Sequence, residues 1–334
     1  MMVLNQSFLS QPVPTPIIDS RKFVLPFPSQ IFQVEFSPYE WSQNLLCIAL
    51  KDKIVVGSFS IQEEDEGQES VELSVIHEFA HGARVHSLAW SPEASTNVLP
   101  KLLCFYTADS EFNVSYFDST QNANSCVKVL GNHSDYINAL ACDPERNYLA
   151  STSDDHTCKL WPLKEGAEDI TFYLTSPGMS VRWHRQEPSK LLVAEKCGLI
   201  RMYNIETQRA ILSLDAGHCP LMAADWSPSN CSRVGCVAGG DLVIRDVTAA
   251  SSPVETRPIH MEGGVYMRFS PASENHLATI GRSDHLLKVS HVGSSQPLLT
   301  STLQVSGGLS WHYRLPLVCA GSDRKLIIFR VLTK

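Results

Sequence analysis

The chain has 334 residues, 43% of them hydrophobic, and a formal net charge of −8. That length admits two domains, although closed β architectures run this long as one. The mild acidic excess supplies no field to attract nucleic acid or an anionic membrane, so neither is expected as a direct partner.

The chain opens Met1-Met-Val-Leu-Asn-Gln-Ser-Phe-Leu-Ser10 and continues through Pro12, Pro14 and Pro16. It has no basic flank, and Asn5 and Gln6 break its apolar run, so it does not read as a secretory signal. The longest clear apolar run, 45–50, is far short of a membrane span. A soluble intracellular protein is expected. Residues 1–22 read as a flexible arm and 23–25 as a first short strand, leaving 23–334 as one folded unit.

A recurring signal begins at Phe36. A short apolar strand closes on a large side chain and is often followed by Ser-Pro. The anchors are Phe36, Trp90, Cys142, Trp183, Trp226, Phe269 and Trp311, spaced by 54, 52, 41, 43, 43 and 42 residues. A period near 40–45 is the blade length of a propeller repeat. The two longer spacings contain polar insertions at 62–70, 93–100 and 119–125. After each anchor come two further apolar runs: second strands at 45–50, 102–106, 191–194, 234–238, 277–280 and 317–320, and third strands at 54–59, 112–117, 199–203, 242–245, 286–290 and 326–331. No segment of ten or more residues has helical periodicity with caps.

The third repeat is the clearest. It runs His133-Ser-Asp-Tyr-Ile-Asn-Ala-Leu-Ala-Cys-Asp-Pro144 and continues to Trp161. His133, Ser151, Asp155 and Trp161 stand at the offsets of the polar tetrad of a WD repeat, the four-stranded blade of a β-propeller. The expected fold is therefore all-β: one seven-bladed WD-repeat β-propeller with degenerate repeats. The chain ends on a third strand, so the strand near 23–25 is expected to close the last blade and remove its open edge.

His81, His133 and His260 stand nine residues before their anchors and His218 eight before its own; Asp109, Asp155, Asp241, Asp284 and Asp323 fall in turns after second strands. His133, Ser151 and Asp155 are also the residue types of a hydrolytic triad. Their place between strands favours a structural network that leaves no buried donor unpaired. The ten cysteines form no Cys-x-x-Cys pair, and most lie in apolar runs. They read as reduced thiols, not as a zinc site. No phosphate loop, nucleophile elbow or metalloprotease motif occurs. No cofactor, metal, catalytic residue or small-molecule substrate is expected. Arg182, Asp225 and Arg268 each precede an anchor, in three successive blades, and could form a charge ladder near the channel.

One face carries adaptable, partly apolar loops in blades four to six: Pro177 and Met179, Pro220 and Met222, and Arg257, His260 and Met261, with Lys196 in a turn beside them. Such a mixture suits a protein-binding patch, although two of the methionines stand where a channel would be lined.

Several segments resemble one family beyond the generic repeat: Glu78-Phe-Ala-His-Gly-Ala-Arg-Val-His-Ser-Leu-Ala-Trp-Ser-Pro-Glu93, Ser153-Asp-Asp-His-Thr-Cys158, Ser176-Pro-Gly-Met-Ser-Val181, Val193-Ala-Glu-Lys-Cys-Gly198, Ala210-Ile-Leu-Ser-Leu214, Arg257-Pro-Ile-His-Met261 and Gly308-Leu-Ser-Trp-His312. They are similar to the small WD-repeat nucleoporins of the Y-shaped outer-ring scaffold of the nuclear pore. The resemblance runs from about residue 30 to the C-terminus and includes the acidic loop. It implies a non-enzymatic scaffold subunit at the nuclear envelope, docked on a large propeller-plus-solenoid nucleoporin among the other subunits of that complex. It also implies a visit to kinetochores in mitosis and a part in protein and mRNA transport. The sequence agrees in one independent respect: it has no Phe-Gly dipeptide. The competing readings are a cullin-RING ligase substrate receptor and a propeller enzyme. The first wants an acidic residue after Trp161, where Pro162 stands instead.

Overall fold

The structure is a computed structural model that describes residues 21–63, 69–97, 101–120, 128–249 and 252–331. The flexible arm expected at the N-terminus lies outside them up to residue 20.

After strand β1 (Arg21–Pro26), the chain lays down its sheets in order. Blade one holds β2 (Gln33–Phe36), β3 (Leu45–Ala49), β4 (Lys53–Glu63) and β5 (Glu69–Ala80). Blade two holds β6 (Val85–Trp90), β7 (Cys104–Asp109), β8 (Asn113–Asp118) and β9 (Lys128–Asn132). Blade three holds β10 (Ile137–Cys142), β11 (Tyr148–Ser153), β12 (Thr157–Pro162) and β13 (Ile170–Tyr173). Blade four holds β14 (Gly178–Trp183), β15 (Lys190–Glu195), β16 (Leu199–Asn204) and β17 (Arg209–Asp215). Blade five holds β18 (Leu221–Trp226), β19 (Arg233–Ala238), β20 (Asp241–Asp246) and β21 (Glu255–Pro258). Blade six holds β22 (Gly264–Phe269), β23 (His276–Gly281), β24 (Leu286–His291) and β25 (Pro297–Thr302). Blade seven holds β26 (Ser306–Trp311), β27 (Leu317–Ser322) and β28 (Lys325–Arg330). Each is a four-stranded antiparallel sheet, and β1 is the fourth strand of blade seven. The innermost strands touch their neighbours all round, with β2 meeting β26, so the ring is closed. The described residues contain no α-helix, hence none that could cross a membrane.

Every expected second and third strand is present, within a few residues at the ends. The closing strand is also where the sequence placed it: Phe23 pairs with Ile328 and Leu25 with Leu326. It is longer than expected, because Arg21 and Lys22, assigned to the arm, belong to it. Phe23, Leu25 and Phe27 pack on an apolar cluster shared by blades one and seven, with Ile31, Val34, Ile48, Leu326 and Ile328. The hairpin of β4 and β5 outgrows its blade and adds Ile61, Val71 and Leu73 to that cluster. Its Glu69 pairs with Arg21 of the closing strand at 3.2 Å and with Arg330 of β28. The expected acidic loop at 62–70 is correspondingly shorter. Gln62 pairs with Ser70 and Glu63 with Glu69 as strand ends, and 64–68 lie outside the described residues.

The Ser-Pro signal has a physical origin. The residue after each anchor donates its N–H to the carbonyl at the start of the second strand, as Ser37 does to Leu45, Ser91 to Cys104 and Ser270 to His276. Its side chain then accepts an N–H two residues on: Ser91 from Glu93, Asp143 from Glu145, Ser270 from Ala272. Short polar side chains make such local turns readily. In blades four and seven a histidine takes the same place. His184 Nδ1 accepts from Gln186, and His312 Nδ1 accepts from Arg314 and Leu315.

Candidate functional site

The polar network of blade three is a continuous chain of hydrogen bonds. Trp161 Nε1 donates to Ser151 Oγ at 2.9 Å, Ser151 Oγ meets His133 Nε2 at 2.7 Å, and His133 Nδ1 meets Asp155 Oδ2 at 2.8 Å. Asp155 Oδ1 accepts from the Thr157 hydroxyl and N–H. Burial acts against the Asp155 carboxylate, but the bonds from Thr157, His133 and the Ser134 N–H hold its pKa at about 2. Burial lowers the His133 pKa, so the imidazole is neutral at physiological pH. It then donates from Nδ1 and accepts from Ser151 at Nε2. Gly131 of β9 makes room for the indole, since a Cβ there would lie 2.3 Å from Trp161 Cζ3. His133 is 2% and Ser151 0% exposed. No substrate reaches that hydroxyl, and the trio does the work of a strand clamp, not of a nucleophile.

The other blades hold fragments of this network. Blade six has His260 Nδ1 at 2.9 Å from Asp284 Oδ2 and His260 Nε2 at 2.9 Å from Thr279 Oγ1, with no tryptophan. Blade five has a looser pair, His218 and Asp241, at 3.4 Å. In blade two His81 Nδ1 accepts the Ala83 N–H at 3.1 Å and its Nε2 lies 3.5 Å from Thr107, while Asp109 accepts from the N–H groups of its own turn. Among the described residues no group of three or more His, Cys, Asp or Glu is arranged to hold a metal.

The expected binding patch is partly dismantled by the structure. His260 is 4% exposed and engaged as above, so it is removed from the surface. Arg257 lies not on a loop but on the outer strand β21, half-buried, with its guanidinium paired to Glu255 at 3.2 Å. Met179 and Met222 lie on the innermost strands, half-buried. Both are extra residues of a β-bulge: the pairing register slips between Gly178 and Ser180 and between Leu221 and Ala223. The same slip recurs in β6, β10, β22 and β26. A bulge re-aims its extra side chain, and Met179 Sδ accordingly meets Asn138 of the neighbouring inner strand at 3.7 Å. Exposed on that face are Lys196, Pro220 and Met261, the last at 94%, with Pro177 half-buried beside them.

At the other end of the innermost strands the charge ladder has one rung. Arg182 Nε lies 3.7 Å from Asp225 Oδ1. Asp225 Oδ2 accepts the Phe269 N–H at 3.0 Å, and Arg268 donates to the Met267 carbonyl. Burial lifts Asp225 to about 6, against the pull of Arg182. Sequence reasoning missed the fourth member, Glu35. It precedes the anchor Phe36 just as the others precede theirs, and that position was the available signal. Burial lifts its pKa to about 8, with Arg182 opposing and Asp225 adding to the shift. Replacing Asp225 by lysine would place a third cation beside Arg182 and Arg268 and orphan the Phe269 N–H. The thermal midpoint should fall by the equivalent of at least about 2 kcal/mol. An unchanged midpoint would show that the rung contributes nothing.

These features define a degenerate WD-repeat β-propeller whose recognisable polar cluster is structural. A family model described as "WD domain, G-beta repeat" matches residues 124–162. That match takes in the outer strand of blade two and three strands of blade three, because the sequence repeat is offset by one strand from the blade. Three curated relatives carry one name, Nucleoporin Nup37. The mouse protein is 44% identical over 302 residues, 89% of this chain and 92% of its own length. The human protein is 42% identical over the same shares, and the Drosophila melanogaster protein 38% identical over 75% of this chain and 78% of its own. The chain belongs to the Nup37 family of nucleoporins.

Proposed function

We propose that the protein is a non-enzymatic scaffold subunit of the outer ring of the nuclear pore, within the Y-shaped subcomplex at the nuclear envelope. It docks on a large propeller-plus-solenoid nucleoporin, holds its place among the other subunits, and supports pore assembly and nucleocytoplasmic transport. In dividing cells the complex carries it to kinetochores. The observation that supports this most directly is identity of 42–44% across 92% of the length of the mammalian relatives. The lack of any Phe-Gly dipeptide agrees with a role in the frame and not in the permeability barrier.

The docking surface we assign is what the structure leaves exposed of the loop face: Lys196, Pro220 and Met261, with Pro177 behind them. A double variant, Lys196→Glu with Met261→Glu, changes only exposed side chains and should melt as the parent does. It should lose capture of the large solenoid nucleoporin from cell extract. Normal capture by the folded double variant would move the interface off this face. Failure of the parent chain to capture any nucleoporin would refute the scaffold reading itself.

A further inference from the structure

The anchor end of the channel, remote from the loop face, opens into a cavity of about 430 Å³. That lies within the range of roughly 300–1,000 Å³ typical of ligand pockets. Its rim is apolar and aromatic: Pro38, Pro144, Pro228, Pro271, Tyr39 and Trp41. Trp41 stacks on Tyr39 at 5.3 Å and remains 48% exposed. Across the mouth, Arg185 of blade four lies 4.7 Å over the ring of Tyr313 of blade seven. These blades stand on opposite sides of the ring, so the pair spans the opening. The charged groups facing the cavity are Arg182, Arg185 and Arg268 against Asp225, Glu35 and Glu40, together with His184.

The hydrogen-bond accounting around this cavity does not close. Three anchor tryptophans donate their indole N–H to the carbonyl of the residue before the previous blade's anchor. Trp90 donates to Glu35, Trp183 to Ala141, and Trp311 to Arg268. The corresponding acceptor for Trp226 is the Arg182 carbonyl, yet Trp226 Nε1 has no hydrogen-bond partner. Arg182 Nε beside it makes no hydrogen bond either, only the 3.7 Å ion pair with Asp225. Both residues line the cavity, on adjacent blades. Trp226 is 6% exposed. A buried donor without a partner costs about 1–3 kcal/mol, so the orphaned indole needs a reason. At neutral pH the Glu35 carboxyl, lifted to about 8 by burial, is a donor as well. What the Trp226 indole lacks is an acceptor, and the arginines beside it favour an anionic one.

We infer that this cavity receives a carboxylate, the side chain of a glutamate or aspartate on an extended segment of a partner protein, with the proline-and-aromatic rim taking the flanking residues. Arg182, Arg185 and the Trp226 indole meet the carboxylate, and Trp41 and Tyr313 carry the backbone on either side. A free carboxylate would leave that rim unused. The site is independent of the docking surface on the loop face and does not rest on it.

The test uses the full chain labelled with ¹⁵N, and three probes: a short acetylated alanine peptide with one central glutamate, the same peptide with glutamine, and sodium acetate. The Trp226 indole resonance is identified by its loss in Trp226→Phe. It should shift saturably with the glutamate peptide, not with the glutamine peptide, and at least about tenfold more weakly with acetate. Trp226→Phe removes the unpaired donor together with one ring of a buried indole, so its thermal midpoint should fall by the cost of a small core cavity, and the folded variant should bind the glutamate peptide roughly tenfold more weakly by calorimetry, as expected for a hydrogen bond to a charged group. The exposed Arg185→Ala should do likewise. An equal response to glutamine, an equal affinity for acetate, no shift at all, or unchanged affinity in both variants each overturns the inference.

Discussion

Deleting residues 1–28 is expected to turn a monomeric propeller into an aggregating one with a sharply lowered melting temperature. The deletion removes β1, and with it six backbone pairings to β28, from Arg21 with Arg330 to Pro26 with Lys325. It uncovers the apolar cluster shared by blades one and seven, where Phe23, Leu25 and Phe27 cover Leu326 and Ile328. It strips Arg21 from Glu69, so the long hairpin of blade one loses one of its two ties to the seam. What remains is a blade of three strands whose free edge, Lys325–Arg330, reads Lys-Leu-Ile-Ile-Phe-Arg. An apolar, unpaired edge is a template for other chains. In a closed ring every blade leans on its neighbours, so the loss is not local. Size-exclusion chromatography and a thermal melt decide the matter. A truncated protein that stays monomeric and melts like the parent would show that β1 is not the closing strand in solution.

The second large effect is expected in blade three. His133→Ala leaves the Ser151 hydroxyl and the Asp155 carboxylate facing each other across a gap with no shared partner, and Asp155→Ala leaves the His133 Nδ1–H with only the Thr157 hydroxyl, at 3.2 Å, in place of a carboxylate. Each should cost about 1–3 kcal/mol. The effect depends on pH. The native fold keeps His133 neutral by burial, whereas the unfolded chain takes a proton near pH 6.5. The stability supplied by the neutral ring is therefore complete above that pH and lost as the pH falls towards the folded pKa. The alanine variant has no such dependence, so its deficit against the parent should narrow between pH 7 and pH 5. The Asp155 contribution should persist through that range, since its folded pKa is about 2, and be lost only below the unfolded value near 3.8. Denaturant titrations at both pH values test this. A His133→Ala deficit that is absent at pH 7, or that widens on acidification, contradicts a neutral buried clamp.

Much of this molecule was legible from the order of its residues. The strands were visible as short runs that alternate or stay apolar, and the blade number because seven anchors recur, 41–43 residues apart where no insertion intervenes. The clamp of His133, Ser151, Asp155 and Trp161 was visible because all four stand within one repeat, at offsets set by strand and turn lengths. The closing strand followed from counting, since the seventh repeat supplies three strands and its blade needs a fourth. These are properties of neighbours in the chain.

Contacts between residues forty or more apart were decided only by the ring. The bulges at Met179 and Met222 re-aim those side chains, because one extra residue in a strand changes the face on which a side chain emerges. His260 reads as a loop histidine until Thr279 of β23 and Asp284 of the turn after that strand close on it. Glu35 owes its raised pKa to burial, with Asp225 adding to the shift and Arg182 opposing it, and those two residues stand four and three blades along the chain. His184 and His312, for which the sequence suggests no role, prove to be turn caps where serine stands in other blades. The Trp226 indole, spaced like three that are satisfied, is left without an acceptor. The surroundings of Glu35 and Trp226 depend on where side chains of different blades meet, and the distances between them are set by closure of the ring, which no single repeat encodes.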